Sequence, residues 1–417
     1  MSSQASAGAI TLPPDRDARS LGPAAAEQRE RLSAEPPRSF ARQAVSDTFR
    51  RAGARFGLAW VAVLIFCGVF APFLANSHPL LLKMDGHWSS PLLRHLTPAD
   101  VVLLVATFSI VAALLARPVP KRLRAIAALA VIGLSIPLAI VFVRPPETVV
   151  FEQYRQAERE GRVQSIVRAP VPYSPTDYLR DSPEVRRTAP SRQHWFGVEE
   201  FGADILSRMI HAARIALTIG FIATGIAVVI GVIIGGLMGY FVGVADIIGM
   251  RLIEIFEAVP TLFLLITFVA VFGRNLYVMM VIIGLTSWTG DARFIRAEFL
   301  RLRKQDFVQA AVAAGLPLRS VIFRHMLPNG ITPVLVAASF GIASAILTES
   351  VLSFLGLGLV QEPSWGGMLN QARAAGGNFS WWIAVFPGGA IFLTVFAYNL
   401  IGEALRDALD PKLRGIK

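Results

Sequence analysis

The sequence predicts an all-α polytopic membrane protein, and three observations carry this prediction. Of the 417 residues, 54% are hydrophobic and only 17% are charged. Soluble globular proteins rarely have this composition, because they need charged residues on their hydrated surface. The apolar residues form uncharged runs long enough to cross a hydrocarbon layer of about 30 Å. The basic residues behind the net charge of +11 lie in the tails and between these runs. Because loops that face anionic lipid have this pattern, we expect a lipid bilayer and no nucleic acid as partner.

Eight runs are predicted to cross the membrane as helices. They lie at about 56–74, 98–116, 125–143, 215–245, 247–273, 276–290, 331–355 and 381–401. The connection after the second run carries Arg117, Lys121, Arg122 and Arg124 and no acid, so the positive-inside rule places it in the cytoplasm. Eight spans then place both termini in the cytoplasm.

Polar segments complete the predicted organisation. Residues 1–55 are expected to form a disordered cytoplasmic tail, and no signal peptide is expected because about fifty polar residues precede the first run. The amino-terminal helices occupy 56–143, and an insertion at 144–205 lies outside the cytoplasm by parity. A core at 206–405 and a basic cytoplasmic tail at 406–417 follow.

The fourth run carries four glycines at steps of four residues, Gly231, Gly235, Gly239 and Gly243. This spacing strips one face of the helix of side chains. It therefore predicts a close approach to a neighbouring helix.

The basic stretch at 291–329 is predicted to lie in the cytoplasm. It contains a short helix, Asp306–Ala314, with an acidic start signal and Gly315 as its stop. A second amphipathic helix at about 319–327 is predicted to end at Pro328. By physics alone, this hairpin either docks into a groove on a partner or lies on the membrane surface, and both alternatives stay open.

The same stretch resembles the EAA loop of ABC importer permeases, whose Glu-Ala-Ala, later Gly and Leu-Pro form the coupling helices. The matching positions are Gln309, Ala310, Ala311, Gly315, Leu327 and Pro328. Gln309 stands where the family usually has glutamate. The ending Arg324–Asn329 resembles the dipeptide and oligopeptide branch in particular.

Three more stretches resemble this branch, at 197–214, 349–366 and 399–414. Ala203 stands where arginine is common, and 257–266 resembles the oligopeptide and microcin-type importers. With four motifs in order, the chain is identified as a member of the permease subunits of dipeptide- and oligopeptide-type ABC importers. Such permeases usually have one span before the external region, whereas three are predicted here.

The resemblance implies a six-helix ABC importer permease core preceded by two or three additional transmembrane helices and a large external insertion. It implies a non-catalytic subunit of the bacterial inner membrane that translocates peptides or similar small solutes. The implied partners are a second homologous permease in a heterodimer, two ABC ATPase subunits that use ATP and Mg, and an extracytoplasmic solute-binding protein. The chain itself is expected to bind no cofactor, since it lacks a phosphate-binding GxxxxGK[ST] loop.

The resemblance also assigns candidate residues for coupling to the ATPase. These are Asp306, Gln309, Ala310, Ala311, Gly315, Arg324, Pro328 and Asn329. For a pore or gate the candidates are Glu254, Glu257 and Glu349, because intramembrane acids are costly and therefore often functional. Two alternatives stay open: Glu254 and Glu257 pair with Arg251 at the interface, and Glu349 fixes helix packing.

Other functions receive less support from the sequence. His78, His87 and His95 share a loop, but their spacing fits no helical ligand pattern, so no metal site is expected. The last span is flanked by three tryptophans, which are interpreted as an aromatic belt: Trp365, Trp381 and Trp382.

A secondary transporter driven by an ion gradient predicts inverted repeats, and none is apparent. An intramembrane hydrolase predicts a paired nucleophile and base, and no catalytic residue is identified. Nickel, opine and oligosaccharide permeases share the motifs of the family and remain alternatives for the solute.

Overall fold

The computed structural model describes residues 51–409, except 85, 117, 147–148, 360–361 and 375–378. Most of the predicted amino-terminal tail and residues 410–417 of the predicted carboxyl-terminal tail lie outside the described residues. The described residues all belong to one compact unit, residues 48–417.

Helices dominate the described chain. They are α1 Ala52–Leu74, α2 Pro91–Arg94, α3 Pro98–Leu115, α4 Lys121–Phe142, α5 Glu152–Arg159, α6 Ile205–Phe241, α7 Val244–Ala258, α8 Thr261–Phe272, α9 Leu276–Leu302, α10 Asp306–Ala313, α11 Leu318–Ser320, α12 Leu327–Phe354, α13 Trp365–Ala374 and α14 Trp381–Leu409. The strands are β1 Leu81–Met84, β2 His87–Ser89 and β3 Val163–Val167. A π-helical segment, Val321–Met326, joins α11 to α12.

The predicted all-α polytopic architecture is confirmed. Seven helices within the described ranges are long and apolar enough to cross a membrane, and an eighth span arises if α7 and α8 are counted as one. These two helices meet at an angle of 80°. The break falls at Val259 and Pro260, because proline lacks an N–H and disfavours helical geometry in the residue before it.

Several helices extend beyond their predicted spans, α6 and α9 by the largest number of residues. Helix α6 begins at Ile205, since the Asp204 carboxylate caps it by accepting a hydrogen bond from Ser207 N at 2.8 Å. Helix α9 continues to Leu302, so the first part of the predicted cytoplasmic stretch is helical. Its charged residues indicated a loop, but buried apolar residues at helical spacing, such as Ile295 and Phe299, hold it against the core.

The glycine face of α6 packs on α9, as predicted. A Cβ atom on Gly235 would lie 3.0 Å from Ala292 Cα, and one on Gly239 would lie 2.6 Å from Phe299 Cβ. Gly231 makes a similar approach to Ala292. The prediction was wrong for Gly243, which lies in the turn before α7 with a φ of +59°.

A three-stranded antiparallel sheet in the order β2-β1-β3 was not predicted. It joins the loop after α1 to the insertion at 144–204, where the Leu80 N–H donates to Val167 O at 2.8 Å. Within this region Arg155 donates to Asp177 at 2.6 Å and to Asp181 at 2.7 Å. The hydrogen bond from Arg155 lowers the pKa of Asp181. We call this end of the membrane helices the sheet side, and the opposite end, which carries α10, the loop side.

One arginine connects the additional helix α3 to the core. Arg214 of α6 donates from Nη1 to Asp100 of α3 at 2.6 Å and from Nε to Gly68 O of α1 at 2.8 Å. Pro72 lies in α1 four residues after Gly68 and has no N–H, so the Gly68 carbonyl lacks its helical partner. Arg214 supplies the missing donor. Asp100 also closes a capping box with Thr97 at the start of α3.

Replacing Asp100 by asparagine is expected to lower the free energy of unfolding by about 1.5 kcal/mol, because the hydrogen bond to the partly buried Arg214 guanidinium loses the charge of its acceptor but keeps an acceptor oxygen. The thermal midpoint of the detergent-solubilised chain measures this. The matched control is Glu160→Gln, which removes the charge of the exposed Arg162–Glu160 pair and should change stability by less than about 0.5 kcal/mol. Equal midpoints for the two variants would contradict the assignment.

Candidate functional site

Helix α10 is closed by Gly315, as predicted. Gly315 has a φ of +71°, its N–H donates to Val312 O at 3.0 Å, and the Leu316 N–H donates to Ala311 O at 3.2 Å. These two bonds form a Schellman motif, which needs a left-handed residue at the position of Gly315. Asp306 lies in the first turn, where the helix dipole favours an acidic side chain.

The inner face of α10 is fixed to α9. Val308 and Ala311 are buried in a cluster with Phe299 and Leu302 of α9, and Gln309 Nε2 donates to Arg303 O at 2.7 Å. An amide can donate to a carbonyl whereas a carboxylate cannot. The residue that departs from the family pattern therefore ties α10 to the end of α9.

The outer face of α10 is apolar and exposed. Ala310 is exposed, and Phe307, Val312 and Leu316 are 42%, 47% and 39% exposed. Of the two predicted alanines, Ala310 thus faces outward and Ala311 inward. The hairpin formed by α10, Gly315 and the helical segment that follows thus presents an apolar surface just beyond the end of α9 at Leu302.

The second half of the hairpin is continuous with α12. Residues 318–354 keep helical geometry through the π-helical segment, so the prediction that this helix ends at Pro328 was wrong. Pro328 has no N–H and its ring crowds the carbonyl four residues earlier, and the wider π turn makes room for it. Asn329 Nδ2 donates to His325 O at 2.7 Å. Arg324 is exposed on this segment.

Two of the candidate pore acids form exposed ion pairs. Glu254 pairs with Arg251 in the same helix, as one alternative predicted. Glu257 pairs instead with Arg293 of α9. A second pair between the same two helices joins Asp246 and Arg296. Glu257 and Asp246 thus bind α7 to α9, whereas Glu254 pairs within α7.

Glu349, the third candidate, is 2% exposed in α12. Its carboxylate accepts hydrogen bonds from Ser353 Oγ at 2.6 Å and Ser350 Oγ at 3.4 Å. The end of the 349–366 stretch packs tightly against the backbone next to Glu349, since a Cβ on Gly366 would lie 2.7 Å from Ser350 Cα. These serines were not singled out in the sequence, although they belong to the 349–366 stretch. The contacts favour a role in helix packing, and a role in gating stays a prediction.

The 197–214 stretch forms the entry to α6. Asp204 accepts from His194 Nδ1 at 2.9 Å as well as capping the helix, and Arg208 donates to the buried Glu199 at 2.5 Å. Burial raises the pKa of Glu199, while the adjacent Arg208 opposes this. This signature therefore attaches the insertion to the core.

The histidines and tryptophans singled out in the sequence lie in differing surroundings. His78 and His95 stack with ring centroids 3.8 Å apart, whereas His87 lies exposed on β2. Within the described ranges, no three His, Cys, Asp or Glu residues are grouped to hold a metal. Trp365 is buried and donates to Met209 O at 3.3 Å, so the aromatic-belt interpretation is wrong for it. Trp381 is 50% exposed.

Replacing Gln309 by glutamate is expected to loosen α10, since its carboxylate would face the Arg303 carbonyl without a proton to share. The loss of one net hydrogen bond, about 1 kcal/mol, should speed hydrogen exchange of the α10 amides roughly five-fold. Hydrogen–deuterium exchange with mass spectrometry measures this. The control Gln305→Glu changes a side chain that makes no cap hydrogen bond and should leave exchange unchanged. Unaltered exchange in Gln309→Glu would refute the tie.

Comparison with known proteins places this architecture in one family. Residues 206–415 match the family described as binding-protein-dependent transport system inner membrane component, and the chain belongs to this family. It is a multi-pass inner-membrane permease of the ABC importer type. The additional helix α3 and the insertion precede the matched residues.

Individual relatives define the branch. The oligopeptide transport system permease protein OppC of Haemophilus influenzae is 41% identical over 249 residues, 59% of this chain and 78% of that protein. The dipeptide transport system permease protein DppC of Bacillus subtilis is 39% identical, covering 58% and 76%. The glutathione transport system permease protein GsiD of Escherichia coli is 40% identical, covering 54% and 75%. The chain is thus a permease of the dipeptide- and oligopeptide-type ABC importers.

Two solved structures are also similar. An amino acid ABC transporter has 16% identity and a TM-score of 0.37 over 48% of this chain and 92% of that chain. The MetNI methionine ABC transporter has 18% identity and a TM-score of 0.36 over 48% and 96%.

Proposed function

We propose that this chain carries peptides or similar small solutes across the inner membrane as one permease subunit of an ATP-driven importer. In this proposal an extracytoplasmic binding protein delivers the solute. The relatives named for oligopeptides, dipeptides and glutathione support this solute class. Family membership favours the proposal over a transporter driven by an ion gradient and over an intramembrane hydrolase.

One observation carries the coupling part of the proposal: the hairpin of α10 and Gly315 exposes an apolar face while its other side is attached to two membrane helices. Ala310, a residue without a bulky side chain, lies on the exposed face, so a partner backbone can approach closely. Coupling requires that this partner prefers different positions of the hairpin in its two nucleotide states.

The attachments supply a path for the movement. A shift of α10 acts on α9 through Gln309 and the buried Val308. It acts on α12 through the continuous helix at 318–354. Both α9 and α12 pack on α6, so the hairpin can change the arrangement of the core helices without chemistry in this chain.

The partners follow from this division of labour. Two ABC ATPase subunits bind the hairpins of this chain and of the second permease, and they use ATP and Mg. This chain itself binds no cofactor. A second homologous permease completes a heterodimer. Both termini and the loop side face the cytoplasm, and the sheet side faces the binding protein.

Site-specific cross-linking tests the proposal. Cys67 is the single cysteine of the sequence, so Cys67→Ala gives a background for Ala310→Cys on the hairpin and Ser165→Cys, exposed on β3. In membranes that also contain the ATPase subunits, we expect Ala310→Cys to cross-link to the ATPase and Ser165→Cys not to do so. The reverse pattern, or solute accumulation by the purified chain alone in liposomes, would disprove the proposal.

A further inference from the structure

A cavity of about 740 Å³ lies between the additional helix α3 and the core, on the sheet side. Its walls come from the loop after α1, the first turns of α3, the insertion, α6 and the first turn of α9. Helix α3 and both loops precede the residues that match the family. The cavity is therefore built largely by residues that precede the matched core.

The polar end of the cavity contains a buried histidine with a free ring nitrogen. His78 is 3% exposed, and its Nε2 has no hydrogen-bond partner among the described residues. Its Nδ1 lies 3.0 Å from Asn76 Oδ1, an oxygen that also accepts from the His78 N–H and from Ser174 Oγ. The hydrogen-bond network thus assigns the proton to Nδ1 and a lone pair to Nε2. Burial, together with the adjacent His95, lowers the pKa of His78 to about 4, so the ring is neutral at pH 7.

A donor without a partner lies in the same wall. Arg214 uses Nε and Nη1 for Gly68 and Asp100, but its buried Nη2 meets no hydrogen-bond partner in the part of the chain that the structure describes. A buried N–H group of this kind costs free energy until it meets an acceptor. Glu362 adds a carboxylate to the lining. The polar end therefore offers a donor for an anion and acceptors for a cation.

The cavity lining also contains apolar side chains of three membrane helices, which we call its apolar end. Leu103 of α3, Ile215 of α6 and Met280 of α9 line it. Leu103 and Met280 belong to the first two turns of their helices, so the cavity lies near one surface of the membrane. Only 6% of the spanning stretch of α3 is buried in protein, so most of this helix is available for contact with lipid.

We propose that this cavity binds a phospholipid with a primary ammonium headgroup, such as phosphatidylethanolamine. A phosphate oxygen accepts from Arg214 Nη2, the ammonium group donates to His78 Nε2, and an acyl chain packs against the apolar end. The headgroup is zwitterionic and matches a wall in which Arg214 is already paired with Asp100. The bound lipid fills the gap between α3 and the core and holds the additional helices in place.

Native mass spectrometry of the full-length, detergent-solubilised chain tests this proposal with phosphatidylethanolamine, phosphatidylglycerol and phosphatidylcholine as probes. We expect one phosphatidylethanolamine to bind, and His78→Phe to weaken its binding about ten-fold, the effect of one lost hydrogen bond to a charged group. The matched control is His87→Phe, which makes the same change at an exposed position outside the cavity and should bind as the unaltered chain does.

A second pair of variants tests the apolar end and does not depend on the folding of His78→Phe. Leu103→Trp fills the cavity and should also weaken binding about ten-fold. Leu114→Trp lies on the same helix at a position that is 72% exposed and should have no effect. Equal binding by all four variants would overturn the proposal. Equal binding of the three phospholipids would overturn it as well, since it would remove the role of the ammonium group.

Discussion

Replacing Gly315 by valine is expected to abolish ATP-driven uptake by the assembled transporter while the chain still inserts into the membrane. A Cβ on Gly315 would meet nothing within 4 Å, so the harm comes from the backbone alone. A φ of +71° costs a residue with a side chain about 1–2 kcal/mol, and more if it is β-branched. The variant is therefore expected to relieve this backbone strain by losing the Schellman motif. Loss of this stop redirects the chain between α10 and α12, and the two attached halves no longer form one hairpin.

Uptake of a labelled peptide into liposomes that contain all subunits measures this effect, and the amount of chain in the membrane measures insertion. The matched control is Gly161→Val in the insertion. Gly161 has the same φ of +71° and equally free space around a Cβ, so both variants carry the same backbone strain. We expect uptake to survive in the control. Normal uptake by Gly315→Val would contradict the coupling role of the hairpin.

Replacing Gly235 by alanine is expected to separate α6 from α9 and to cost about 3 kcal/mol of unfolding free energy, the upper end of the usual range for overpacking. The added methyl group would meet the backbone of Ala292 at 3.0 Å or less, and backbone cannot move aside as a side chain can. Intrinsic helix propensity points the other way, because alanine is favoured over glycine by about 1 kcal/mol inside a helix. A loss of stability therefore reports on the helix contact itself.

The thermal midpoint of the purified chain in one detergent measures this loss. The matched control is Gly225→Ala on the same helix, where a Cβ would meet nothing within 4 Å. Because only propensity acts there, we expect the control to be as stable as the unaltered chain or more so. A control that loses as much stability as Gly235→Ala would refute close packing of α6 on α9.

Much of the fold could be predicted because hydropathy and helical period are local properties of the sequence. The membrane runs, the close-packing glycines of α6 and the short helix stopped by Gly315 were all visible in this way. A glycine stop needs only the backbone preference of one residue. The resemblance of the 291–329 stretch to coupling loops likewise rested on short spacings.

The extent of α9 was misjudged for a physical reason. Its last turns carry Arg293, Arg296 and Glu298, and such charge density is typical of loops between spans. Ile295, Phe299 and Leu302 recur at helical spacing among them, and this weaker signal proved decisive. The prediction that the second helix of the hairpin ends at Pro328 was also wrong, because the π-helical segment before Pro328 accommodates a proline that would break an ordinary α-helix.

The sequence by itself determined which segments enter the membrane, where α10 stops and which face of α6 accepts a neighbour. Only the tertiary structure decided the pairing of β1 with β3, the stacking of His78 on His95 and the two side-chain hydrogen bonds of Arg214. Each of these joins residues that are distant in the chain or have no common period. Long-range partners are selected by the packing of the whole molecule, and no local pattern of residue types encodes that choice.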